Sequence, residues 1–236
     1  MISLNYRISP LGDRAIIIQF GEEITKEANY FVHDAAKRIQ LNPFQGYIEL
    51  VPAFHTLTVH YDPVLVQSNM PYLYVIQEIK KRLEGKIDNL KRNGKMVKIP
   101  VCYEHEFAPD IDIVAKHNGL TKKEVIHLHT KNIYDVYFLG FSPGFPFLGG
   151  MDKNLSTPRK DSPRLKIPAG SVGIAGMQTG IYPIETPGGW QIIGRTPVTL
   201  FDAKLSPPSR IVAGDQVQFF EITKNDFKGW EDTLWE

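Results

Sequence analysis

Residues 140–202 read GFSPGFPFLGGMDKNLSTPRKDSPRLKIPAGSVGIAGMQTGIYPIETPGGWQIIGRTPVTLFD. Between Gly140 and Gly214 lie 12 of the 19 glycines and 10 of the 17 prolines. Proline removes backbone donors and glycine raises the entropic cost of order, so this density excludes long helices. The stretch is nonetheless rich in apolar side chains, among them Phe141, Phe145, Ile167, Val172, Trp190 and Ile193. Short apolar runs between Gly/Pro turns predict the short strands of a barrel or sandwich.

Outward from this stretch the pattern changes. The 236 residues allow one large or two modest domains. Arg14–Phe20 is a β-branched run, and Thr25 can cap a helix whose apolar face is Ala28, Phe31, Val32, Ala35 and Ile39. Ile48–Val51 and Thr56–Tyr61 predict two strands. Asn69 and Pro71 open a second helix, faced by Tyr72, Val75, Ile76, Ile79 and Leu83. Two helices on a small sheet predict an α+β unit, ferredoxin-like in outline. The polar segment Ile87–Lys95, with Asn93-Gly94, marks a boundary between domains 1–90 and 91–236. Beyond it come a strand at Val97–Tyr103, helices at Pro109–Asn118 and Thr121–Thr130, and a strand at Ile133–Phe141. A closing hairpin is expected at Arg210–Glu221 around Gly214-Asp215.

Composition excludes several classes. With 42% hydrophobic and 22% charged residues and a net charge of +1, nothing argues for nucleic acid or an anionic membrane. The single Cys102 cannot form an internal disulfide, and Arg7, Asp13 and Arg14 break up any signal-peptide core. Both features fit a cytoplasmic protein with no membrane span.

Several motifs fail as chemistry. Gly140-x-Ser142-x-Gly144 matches a nucleophile elbow, but the residue after the serine is Pro143, which has no N–H for an oxyanion hole. Gly170, Gly173 and Gly176 lack the lysine of a phosphate loop and fit a strand with a bulge better. His127 and His129 sit about 200° apart around a helix, and His55 and His60 point to opposite sides of a strand, so no metal ligand set emerges. The loop from Lys153 to Lys166 carries five basic residues against Asp161 alone. Arg159 and Arg164 each follow a proline, and together with Arg195 they are candidates for holding a carboxylate or phosphoryl oxygen. Gln178, Thr179, Tyr182 and Trp190 sit in turn-rich segments and complete the candidate substrate- or partner-binding set. For Trp190 and for the Phe141, Phe145, Phe147 and Leu148 cluster, core packing is the competing role.

The ordered motifs Pro143-Gly144-Phe145-x-Phe147-Leu148, Pro158-Arg159, Pro163-Arg164, Gly170–Gly176, Gln178–Pro183, Pro187–Pro197 and Leu200–Asp202 resemble the KipI / allophanate hydrolase subunit 1 family. The dense match spans roughly residues 137–219. The resemblance implies a small N-terminal α/β domain and a C-terminal cyclophilin-like β-barrel. It implies a non-autonomous role in an ATP-dependent 5-oxoprolinase, where PxpC-type and PxpA-type partners help open 5-oxoproline to glutamate. ATP would then bind with the help of another subunit. Two other roles are known in the family: inhibition of a sporulation sensor histidine kinase, and a carboxyltransferase-type part in urea carboxylase. Fold likeness to cyclophilin carries no isomerase activity.

Overall fold

In a computed structural model, which describes residues 5–84 and 94–232, the chain divides into two compact units, Met1–Arg92 and Asn93–Glu236. Most of the expected linker, Ile87–Lys95, lies outside the described residues.

In the first unit, strands β1 (Tyr6–Pro10) and β2 (Ala15–Phe20) precede helix α1 (Lys26–Leu41). Strands β3 (Tyr47–Pro52) and β4 (Thr56–Tyr61) then precede helix α2 (Pro71–Leu83). The antiparallel sheet has the order β1-β2-β4-β3. Period-two patterning sets its buried face: Ile16 pairs with Val59 and Ile18 with Leu57, and all four are fully buried. Thr25 caps α1 by accepting from the Ala28 N–H at 3.0 Å, an interaction worth about 1 kcal/mol. All five residues of its predicted apolar face are buried, as are Val75, Ile79 and Leu83 of α2. The sequence reading missed β1. It forms an outer hairpin with β2, so the order of elements is ββαββα.

The second unit is built on a seven-stranded sheet. Its strands are β5 (Met96–Val101), β6 (Ile133–Leu139), β7 (Pro146–Gly149), β9 (Ser171–Ala175), β10 (Gln178–Ile181), β12 (Gln191–Arg195) and β13 (Gln216–Glu221). A separate two-stranded ribbon pairs β8 (Arg164–Ile167) with β11 (Thr186–Gly188). The order β12-β9-β10-β7-β6-β13-β5 brings the first and last strands together. Just beyond β5, Cys102 exchanges two backbone hydrogen bonds with Arg195 of β12, at 2.8 and 3.0 Å. The sheet is thereby a nearly closed barrel. Its interior is filled by Ile99, Val136, Leu148, Ile174, Ile193 and Phe219 among others, so it is a packed core and not a container. Helices α3 (Ile111–Asn118) and α4 (Lys122–Lys131) add Val114 and Val125 to that core. The expected capping box of α4, Thr121 with Glu124, is present.

The expected hairpin at Arg210–Glu221 does not form. Only Gln216–Glu221 is a strand; it runs parallel to β5 and antiparallel to β6. Gly214-Asp215 does make a turn, but the Asp215 carboxylate takes the Val212 and Lys95 N–H groups, both at 3.0 Å, and steers β13 between distant strands. Among the described residues no helix is long and apolar enough to cross a membrane.

Closure depends on a side chain that is missing. A Cβ at Gly194 would lie 2.5 Å from Val101 Cγ1 and 3.1 Å from the Cys102 carbonyl oxygen. Gly194→Ala should therefore wedge β12 away from β5 and cost about 1–3 kcal/mol. All three tryptophans belong to this unit, so denaturant unfolding followed by tryptophan fluorescence reads the cost directly. An unchanged midpoint would show that closure tolerates the extra methyl.

Candidate functional site

Neighbouring residues on one strand supply two different cores. In β12, Ile193 points into the barrel, while Ile192 joins Phe145, Ile167, Ala175, Tyr182 and Trp190 in a separate buried cluster. Strand alternation puts this second cluster on the outer side of the barrel wall. Ile167 of the β8–β11 ribbon belongs to it, so the ribbon covers that side.

Asp110 ties the covering to the wall. It precedes α3 and is almost fully buried. Its carboxylate accepts two parallel bonds from the Arg164 guanidinium, at 2.7 and 2.8 Å, and a third from Lys160 Nζ at 3.2 Å. The Ile192 N–H donates to the same carboxylate at 2.7 Å, and the Asp110 N–H donates back to the Ile192 carbonyl at 2.9 Å. Burial alone would raise this carboxyl's pKa. The hydrogen bonds from Arg164, Ile192 and Lys160 outweigh burial and hold it below the usual carboxylate range. The sequence reading missed Asp110. An aspartate before a helix looks like a cap, and its cationic partners stand 50 and 54 positions away.

Under the ribbon lies a small cavity of about 110 Å³. Phe145, Phe147 and Trp190 give it aromatic walls, and Tyr182 stands beside Gly188 and Gly189. The rings meet edge to face: Phe145 lies 5.4 Å from Trp190 at 88° and 5.1 Å from Tyr182 at 83°. Gly188 is required by proximity, because a Cβ there would lie 2.5 Å from the Tyr182 hydroxyl. Burial pushes the Tyr182 phenol up to about 12, against the pull of the Trp190 backbone N–H and of the Arg159 and Arg164 charges.

Phe141 and Arg159 complete the lining. Phe141 is 67% exposed and has a φ of 70°, a conformation that bulky L residues rarely adopt and that costs about 1–3 kcal/mol. Its ring sits edge-on to Phe145 at 5.6 Å and to Tyr182 at 6.3 Å. Arg159 is fixed through its neighbours. The Pro158 carbonyl accepts from Gln191 Nε2 at 3.0 Å, and the Lys160 N–H donates to the Gly189 carbonyl at 2.8 Å. The loop is thus pinned on both sides of Arg159 to the chain on both sides of Trp190. Among the described residues the Arg159 guanidinium has no hydrogen bond or ion pair.

The remaining candidates are placed elsewhere. Arg164 is bound to Asp110. Arg195 donates to the Ala169 carbonyl at 2.7 Å and lies over the Phe227 ring at 6.0 Å. Gln178 starts β10 half-buried, outside the cavity lining. Thr179 is buried; its hydroxyl donates to the Gly173 carbonyl at 3.0 Å and lies 3.2 Å from His129 Nε2. The other ring nitrogen of His129 meets the Tyr103 hydroxyl at 2.7 Å, and the imidazole stacks 4.4 Å from Phe219. His129 is a satisfied core residue, while His127 is exposed. Phe145, Leu148 and Trp190 are core, and Phe141 alone of that cluster is exposed. Among the described residues Ser142 Oγ is buried with no hydrogen-bond partner, in a turn that leads into strand β7 instead of a helix, so no base among them activates it. Among the described residues no three His, Cys, Asp or Glu side chains converge as metal ligands would.

Residues 6–211 match the family described as carboxyltransferase domain, subdomain C and D. The B-type subunit of 5-oxoprolinase from Bacillus subtilis is 49% identical over 98% of this chain and 99% of its own length. The crystal structure of a conserved protein from Pyrococcus horikoshii, PH0987, is 48% identical over 94% of this chain and all of its own, with a TM-score of 0.56. The crystal structure of TTHA0988 is 36% identical over 89% of this chain, with a TM-score of 0.76. This chain spans only 40% of the TTHA0988 polypeptide.

Two expectations follow for the buried polar groups. Asp110→Ala removes the carboxylate that holds Arg164 and frees the ribbon, at a cost on the order of 3 kcal/mol. Trypsin should then cut at Lys160, Arg164 or Lys166 much faster than in wild type; unchanged cleavage and stability would refute the clamp. His129 concerns pH. Desolvation lowers its folded pKa from 6.5 to about 3. Between those values the unfolded chain binds a proton that the folded chain does not. The stability due to neutral His129 is therefore full above about pH 6.5, drains as pH falls and is gone by about pH 3. The slope approaches 1.4 kcal/mol per pH unit. Urea midpoints read by tryptophan fluorescence should fall from pH 7 to pH 5, and His129→Gln should flatten that slope. An equal slope in the variant would count against a neutral buried imidazole.

Proposed function

The chain belongs to the carboxyltransferase-domain family of subdomains C and D, and we propose that within it the chain serves as the B-type subunit of an ATP-dependent 5-oxoprolinase. With C-type and A-type subunits, of the PxpC and PxpA kinds, it opens 5-oxoproline to L-glutamate in the cytoplasm. One observation carries this reading: 49% identity to the Bacillus subtilis B-type subunit over nearly the whole of both chains. The domain-level reading goes with it. The N-terminal unit is a ferredoxin-like variant with its outer strand added at the start, and the barrel is cyclophilin-like.

The chain's own residues support a binding role more than a complete active site. An unstrained five-membered lactam resists water, so ring opening needs its carbonyl activated, and ATP supplies that activation. The cavity of about 110 Å³ is far below the roughly 300 Å³ at which ordinary ligand pockets begin, so ATP does not fit in it. Within the segment Gly170–Gly176, residues Ser171–Ala175 form the regular strand β9, and the irregularity in its pairing with β12 lies in β12, between Ile192 and Gly194. The TTHA0988 polypeptide, in which a similar segment is part of a longer chain, is in keeping with a domain that works joined to others.

The isolated chain should accordingly release no glutamate from 5-oxoproline and ATP, and adding the C-type and A-type subunits should restore turnover. Robust turnover by the chain alone, or none by the full set, would sink this reading.

A further inference from the structure

We propose that the aromatic cavity under the β8–β11 ribbon is a binding site, on this chain itself, for a small flat ring that bears a carboxylate. The carboxylate lies on Arg159, and a ring carbonyl faces the Tyr182 hydroxyl. The site deepens the proposed subunit role and rests on it for the identity of the ring.

Size comes first. A volume of about 110 Å³ equals that of a few water molecules at roughly 30 Å³ each in the liquid. A single small ring is accommodated; a nucleoside is not.

Charge comes second. Aromatic faces alone would favour a cation. Arg159 reverses that preference, because its positive charge lies on the same cavity. Its basic neighbours are already compensated. Asp110 takes up Lys160 and Arg164, which both follow Arg159 in the loop, and Lys166 pairs with Glu185 at 3.2 Å. A guanidinium without a partner, on a backbone pinned at both flanking residues, is arranged for a carboxylate and loses little freedom on binding one.

The third element is the phenol. Tyr182 lines the cavity, burial keeps its phenol protonated throughout the ordinary pH range, and among the described residues no acceptor takes its O–H. Its own O–H is therefore the group left to donate to an uncharged carbonyl. Phe145 and Trp190 supply flat apolar walls for the ring body. Donor, cation and walls together select a carboxylated lactam over a free amino acid, whose ammonium group would meet Arg159 with like charge.

Calorimetric titration of the purified full-length chain tests this with three probes: 5-oxo-L-proline, 2-pyrrolidone (the same ring without the carboxylate) and L-proline. 5-Oxo-L-proline should bind saturably with no ATP or partner. The other two should bind about ten- to a hundredfold more weakly, the scale of one charge-assisted hydrogen bond. Arg159→Ala should bring 5-oxo-L-proline down to the 2-pyrrolidone level, and Arg159→Lys should recover part of the loss. Neither should move the melting temperature, because the side chain is exposed and unpartnered among the described residues. Absence of saturable binding, equal binding of 2-pyrrolidone, or indifference to Arg159→Ala would each overturn the site. The subunit role is tested separately by ATP-dependent turnover of the assembled enzyme. Wild-type KM for 5-oxoproline in an assembly carrying Arg159→Ala would sink the site and leave the subunit role standing.

Discussion

A single buried carboxylate organises the ribbon-covered side of the barrel. Asp110 meets the start of α3, the backbone of β12, the ribbon through Arg164 and the basic loop through Lys160. Taking such a group out of water costs several kcal/mol unless its lone pairs are filled. Here two guanidinium N–H groups, an ammonium and a backbone amide fill them. Two-stranded ribbons are marginal on their own, and the β8–β11 ribbon has few other polar ties. The carboxylate therefore converts a surface ribbon into the cover of a second, extra-barrel core.

The same interaction divides the labour among the basic residues. By charge alone, Lys153 to Lys166 is a loop of five similar cations. In the fold they are not similar. Arg164 and Lys160 are held by Asp110, Lys166 pairs with Glu185 at the surface, and Lys153 lies exposed and outside the cavity lining; Arg195, beyond this loop, meets the Ala169 carbonyl and the Phe227 ring. Arg159 is left facing the aromatic cavity. Composition counts charges, whereas the fold decides which of them keep an internal partner and which one lines the cavity.

How much of this was legible in sequence depended on how local the cause was. Thr25 and the apolar face of α1 are set within one helix, and the alternation of β4 within one strand, so both were readable. Thr121 and Glu124 are three residues apart and were readable too. Gly214-Asp215 was readable as a turn but misleading as a hairpin, because β13 takes its neighbours from β5 and β6, far away in sequence. Strand β1 was missed because Arg7 and Pro10 interrupt the apolar alternation of an outer strand that is paired on one side only. At the candidate site, the residue types were legible and their placement was not. Arg159, Tyr182 and Trp190 were singled out beside Gln178, Thr179, Arg164 and Arg195. Nothing in their spacing separates the first three from the rest; that separation comes from Asp110 and from strand alternation between Ile192 and Ile193.

The near-closure of the barrel bears on the cavity beside it. A barrel filled with side chains cannot host a ligand in its lumen, but it makes a rigid wall. Closure between Cys102 and Arg195 fixes β12, and β12 carries the amide that meets Asp110 and lies next to Trp190. The rim is built differently: Phe141 is held in a strained backbone conformation at the mouth and is the most exposed of the cavity's aromatic residues. A rigid floor under a strained, exposed rim places the cost of ordering in the fold itself and leaves little to be ordered on binding. A ligand seated there touches both wall and ribbon, so its binding would reinforce the clamp that Asp110 begins.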